Sequence, residues 1–154
     1  MAVTIKQLAS ALATGSIRHH VDVDDHVIRV VFVTKRYLNP RGERLAILQL
    51  EATDGGNTCR ASLPRSFPAG SALPDRCLSL CRALADVPLA RLEHDPASDT
   101  LQLTAELPVE DGELTPRQVF ALLDAIVEAA EAGEAALRGS EGDTTAAPRG
   151  REAA

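Results

Sequence analysis

The sequence predicts an α+β fold, an antiparallel sheet of about five to six strands with three helices in the order α-β-β-β-β-α-β-β-α. Three observations lead to it. Apolar and polar residues alternate through residues 17–33, 44–63 and 89–106, and helical spacing occupies 4–15, 73–84 and 115–138. Gly- and Asp-rich turns separate these runs. A chain of 154 residues fits one domain that buries roughly two-thirds of its unfolded surface. With 45% hydrophobic but only 3% aromatic residues, its core must be built from Leu, Ile, Val and Ala.

Thr4 caps a short first helix, since Ile5, Leu8, Ala9 and Leu12 then share one side and Gly15 ends it. IRHHVDVDDHVIRVVFV, residues 17–33, follows with three of the four histidines. If Asp24 and Asp25 centre a tight turn, Ile17, His19, Val21 and Val23 share a face with Ile28, Val30 and Phe32. Arg18, His20 and Asp22 then face the other way with Val27, Arg29, Val31 and Val33. A slip by one residue would mix charged with apolar positions, so burial selects this register. It also scatters the histidines, whereas zinc needs three or four ligands about 2 Å from one point. Strand positions beside an Asp-Asp turn are therefore favoured over a metal site. A longer loop stays open as an alternative, because Asp-Asp suits positive φ less well than Asn-Gly.

KRYLNPRGE, residues 35–43, is a loop on the strength of Asn39-Pro40 and Arg41-Gly42. It carries Tyr37, the one tyrosine, either tucked onto the domain or exposed as an anchor for a partner. The next hairpin turns at Asp54-Gly55-Gly56-Asn57, which pairs Glu51 with Arg60, Gln49 with Ser62 and Thr53 with Thr58. Its opposite side gathers Leu48, Leu50, Ala52, Cys59, Ala61 and Leu63, so Cys59 belongs to the core.

PRSFPAGSALP, residues 64–74, leaves the sheet and leads into a second helix with Leu73, Cys77, Leu80, Cys81 and Leu84 on one stripe. Cys77 and Cys81 are read there as packing residues. A third hairpin joins 89–94 to 100–106, with His94 at its turn. The last helix opens on Thr115 as N-cap, Pro116 at the first position and Gln118 closing a capping box, with Leu114 and Val119 as staple. Its apolar stripe ends near Gly139. Residues 1–138 are thus expected to be the domain and 139–154, poor in large apolar residues, a disordered tail.

Charge and motif content limit the function. A net charge of −6 is the wrong sign for tracking a phosphate backbone, so no direct nucleic-acid partner is expected. Three cysteines without a disulfide pattern suit a reducing compartment, and the N-terminus lacks a secretory signal. No apolar run reaches the roughly 18 residues of a membrane span. A cytoplasmic protein is the expectation. H-E-x-x-H, G-x-S-x-G and phosphate-loop motifs are missing, which points away from an enzyme and requires no cofactor. The enzyme alternative is a metal-assisted hydrolase using His20, Asp22 and His26. Another alternative is a module that senses an apolar small molecule between sheet and helices. The acid run of Glu106, Glu110, Asp111 and Glu113 is read mainly as complementing the dipole of the last helix.

LQLTAELPVEDGELTPRQ, Leu101 to Gln118, joins a strand end, an Asp-Gly turn and a capped helix start. With the element order over residues 4–138, it resembles the YbjN family, whose members are often labelled sensory transduction regulators. The family's fold is similar to that of type III secretion chaperones. Leu78-Ser79-Leu80-Cys81-Arg82 departs from it, because many relatives carry an asparagine-containing stretch there. The resemblance implies an acidic cytoplasmic protein that forms a homodimer and holds a protein client or regulatory partner without turnover.

The registers supply a surface for such a partner. Val31 and Val33 point away from the core face, and so do Leu45 and Ile47 if strands 27–33 and 44–51 are neighbours. An outer face that is apolar at one end marks an interface. Val31, Val33, Leu45 and Ile47, with Tyr37, are the candidate protein-binding residues. The competing reading has the second helix covering part of this patch within the chain, the rest binding a subunit or client.

Overall fold

The computed structural model describes residues 2–109, 111 and 113–143, with side chains as far as Gly139. Its elements are α1 (Ile5–Thr14), β1 (His19–Asp22), β2 (Val27–Val33), β3 (Leu45–Thr53), β4 (Thr58–Pro68), α2 (Leu73–Leu84), β5 (Ala90–Asp95), β6 (Thr100–Pro108) and α3 (Pro116–Asp143). The six strands form one antiparallel sheet in the order β1-β2-β3-β4-β6-β5. This is the α+β arrangement expected from the periodicities.

One face of the sheet supplies half of the core. Ile28, Val30, Ala46, Leu48, Leu50, Cys59, Ala61, Leu63, Leu101, Leu103 and Ala105 are buried there. Leu8 and Leu12 of α1, Leu80 and Leu84 of α2, and Val119, Leu122, Leu123 and Ile126 of α3 complete one continuous cluster. All three helices therefore belong to the same layer. The expectation that α2 covers part of the outer face is corrected, because its apolar stripe packs into this cluster and α3.

Local chemistry explains the helix starts. Thr4 and Gln7 form a reciprocal capping box on α1. On α3 the Gln118 amide donates to Thr115 Oγ1 at 3.3 Å, while Gln118 Oε1 accepts from the Thr115 amide at 2.8 Å. The first hairpin keeps the expected register, with His19 opposite Val30 and Val21 opposite Ile28. Its turn is longer than two residues. Residues 23–26 form it, positive φ falls on His26, and Val23 is 71% exposed instead of lying on the core face. The second hairpin pairs Glu51 with Arg60, Gln49 with Ser62 and Thr53 with Thr58, as expected.

Several boundaries differ. β4 does not leave the sheet at Pro64 but runs to Pro68 through an irregularity between Leu63 and Phe67. Ser66 makes this possible, since its hydroxyl donates to the Leu63 carbonyl and accepts from the Leu103 amide at 2.9 Å. Backbone groups that the irregularity would orphan are thereby satisfied. Cys81 is exposed and Cys77 half-buried, so Leu73, Leu80 and Leu84 define the packed side of α2 without Cys81. His94 lies within β5 opposite Leu101, not at the turn. α3 continues past Gly139 to Asp143. Glu110 of the acid run and the remainder of the expected tail, residues 144–154, lie outside the described residues.

Candidate functional site

β2 and β3 place Val31 opposite Ile47 and Val33 opposite Leu45, on the outer side of the alternation, although Val33 at the strand end also borders a hollow lined by Val127, Glu128 and Glu131 of α3. Alternation along each strand dictates this placement. Ile28, Val30, Ala46 and Leu48 go inward, and their neighbours must go outward. Nothing in the described chain covers them fully: Val31 is 55% exposed, Val33 82% and Ile47 46%, while Leu45 is half-buried. Beside Ile47 a groove of about 270 Å³ runs between the 35–43 loop and β4, with Pro40, Pro64 and Arg65 among its walls. Sequence reasoning missed this groove, because Pro64 and Arg65 border it at the irregularity in β4 and Pro40 reaches it from the loop.

The rest of the outer face is charged and internally paired. Arg60 lies 2.9 Å from Glu93, 3.5 Å from Glu106 and 3.9 Å from Glu51, and Arg91 also pairs with Glu106. Glu93 accepts further bonds from Gln102 at 2.9 Å and Thr104 at 3.0 Å. Burial opposes its charge, but these donors and Arg60 together hold the Glu93 carboxyl below its usual range. Most of its donors go to its own acceptors, but Arg60 Nε is buried without a hydrogen-bond partner among the described residues. The apolar end has no such internal partner.

Tyr37 does not join the exposed patch, and its role as an exposed anchor is corrected. Its ring is fully buried against Phe67 in an edge-on contact, with centroids 5.8 Å apart. The hydroxyl donates to the Ser66 carbonyl at 3.0 Å. Glu131 of α3 holds the loop from the other side, its carboxylate accepting from the amides of Lys35 at 2.5 Å, Arg36 at 2.7 Å and Tyr37 at 3.3 Å.

His20, Asp22 and His26 are not brought together as ligands. Asp22 pairs with Arg29 and accepts from the Asp25 amide at 3.2 Å, and Asp25 reaches Arg29 at 3.2 Å. The hydrogen bond from Arg29 is the main reason the Asp22 carboxyl lies below its usual range. His20 is exposed opposite Arg29 and His26 is exposed in the turn. His19 is half-buried, with Nδ1 2.9 Å from the Ile17 carbonyl. Among the described residues, no group of three or more His, Cys, Asp or Glu could hold a metal ion. Among them also, no helix is long and apolar enough to cross a membrane.

No protein-family model matches the chain, and no curated protein matches its sequence. Among solved structures, one from the HopA1–SchA chaperone–effector complex aligns with a TM-score of 0.47 and 13% identity, covering 79% of this chain and 88% of that one. A crystal structure of YbjN from E. coli, named there a candidate transcription regulator, aligns with a TM-score of 0.54 and 13% identity. That alignment covers 90% of this chain and 97% of the YbjN chain, so the two share a fold.

Proposed function

We propose that this chain is a YbjN-like, non-catalytic module that holds a protein partner on the apolar end of its outer sheet face. The observation that carries this reading is the uncovered cluster of Val31, Val33 and Ile47, with Leu45 at its margin. Fully burying one such side chain contributes about 1.5–3 kcal/mol, and these are already partly buried. The patch therefore supplies a few kcal/mol. A stable complex needs the surrounding polar face as well, in the usual arrangement of apolar centre and polar rim. An extended segment with aliphatic residues at alternate positions matches the two-residue repeat of the strands. A second copy of the chain could present the same patch, and the homodimer implied by the family resemblance belongs to this proposal. Three free cysteines suit a reducing compartment, and we place the protein in the cytoplasm on that ground.

The test compares the wild type with a Val31→Asp, Ile47→Asp double variant whose fold is verified by circular dichroism. Partners are captured from the native cells after mild crosslinking, and the mass in solution is measured by light scattering. The expected result is a stoichiometric protein, or a second copy, that binds the wild type and is lost from the variant. An unchanged partner set and unchanged mass in a folded variant would overturn the proposal.

A further inference from the structure

A second concavity adjoins the groove beside Ile47 across Asn39, Pro40 and Arg65, where β4 at its irregularity, the start of β6, α2 and α3 converge. It encloses about 460 Å³, within the range of small-ligand pockets. Pro40, Phe67 and Leu137 give it apolar walls, while Arg65, Arg76 and Arg138 bring three positive charges against one carboxylate, Glu134, among the described residues. Two of these arginines have protein partners. Arg138 Nε donates to Glu134 at 2.9 Å, and Arg76 Nη1 donates to the Pro68 carbonyl at 3.2 Å. Arg65 is exposed, and its backbone takes a positive φ of 52° within the irregular stretch of β4. Such a conformation is disfavoured for a residue with a Cβ, and Arg65 is held in it where the strand opens onto the cavity.

From this arrangement we infer that the cleft binds an apolar monocarboxylate, its tail on Phe67 and Leu137 and its carboxylate on the Arg65 guanidinium. A guanidinium matches a carboxylate with two parallel hydrogen bonds. Arg65, for which no ion pair is seen among the described residues, suits one negative charge. A phosphate monoester would bring up to two charges and would need a second such cation, while an apolar wall offers it nothing. The cleft shares Asn39, Pro40 and Arg65 with the groove beside Ile47, but Val31, Val33, Leu45 and Ile47 do not line it, and the inference stands whether or not those four bind a protein.

Decanoate serves as the probe, with 1-decanol supplying the tail without the charge and acetate the charge without the tail. Calorimetric titration of the full chain should show one equivalent of decanoate bound and both controls at least about tenfold weaker, the loss expected for one charged hydrogen-bonded contact. Amide shifts should gather at Arg65, Phe67, Thr100 and Glu134. An Arg65→Gln variant should lose about tenfold or more in decanoate affinity with decanol unchanged. The Val31→Asp, Ile47→Asp variant should bind decanoate as the wild type does. Decanoate binding that is absent, no tighter than decanol, indifferent to Arg65→Gln in a folded protein, or centred on Val31 and Ile47 would overturn the inference.

Discussion

Cys59 sits on β4 with no exposed surface, and burial pushes its thiol up to about 12. A thiol without thiolate character is inert, so the three cysteines should separate by accessibility alone. Maleimide adducts followed by mass spectrometry at neutral pH should appear first on exposed Cys81, then on half-buried Cys77, and on Cys59 only when the chain unfolds. Labelling of Cys59 at the rate of Cys81 would contradict its place in the core. The inward side of the Asp54–Asn57 hairpin already identified Cys59 as core. Tyr37 was not legible in this way. Turn pairs mark its loop, but its fate depends on Ser66, 29 positions away, and on Glu131, 94 positions away. Periodicity reports on neighbours within a few residues, and these acceptors lie far outside that window.

At the scale of elements, α3 shows what local signals can and cannot carry. Its start follows from Thr115, Pro116 and Gln118, whose hydrogen bonds need no tertiary partner. Two of its glycines, Gly133 and Gly139, look alike in sequence and differ in space. A Cβ on Gly133 would lie 2.6 Å from Phe67 Cζ and 2.9 Å from Leu80 Cδ2, whereas one on Gly139 would meet nothing within 4 Å. Alanine is favoured over glycine by about 1 kcal/mol within a helix, and overpacking a core costs about 1–3 kcal/mol. Gly139→Ala should therefore raise the melting temperature slightly, and Gly133→Ala should lower it. A rise in both would mean that α3 does not press on β4 and α2 as described. The strand registers were legible because one buried face and one turn determine each pairing. The continuation of β4 to Pro68 was not. Pro64 and Pro68 read as strand breakers, and the Ser66 hydroxyl, reaching Leu63 and Leu103, bridges the irregularity before the pairing to β6 resumes at Phe67.

For the whole molecule, one helical layer on one sheet face leaves the other face to solvent or a partner, and it divides the ionisable groups into two sets. Asp22, Glu93 and Asp95 have carboxyls held below their ordinary values by hydrogen-bond donors and nearby positive charge. Each adds stability that is present above its unfolded value and is lost as pH falls through the folded one. Cys59 and Tyr37 are displaced upward from 9.0 and 10.0 by burial. At alkaline pH the unfolded chain gives up these protons more readily than the folded one, so their contribution is complete below 9.0 and declines as pH rises beyond it. Urea midpoints measured from about pH 3 to about pH 11 should thus form a plateau bounded by the carboxylate range and by pH 9.0. Growing negative charge on an already acidic chain would also weaken it at high pH, and a Cys59→Ala variant separates the two causes. General repulsion would leave the alkaline onset where it was. Loss of a buried thiol should instead move the onset up towards 10.0, where Tyr37 begins to act, and an unmoved onset would show that Cys59 does not set that limb.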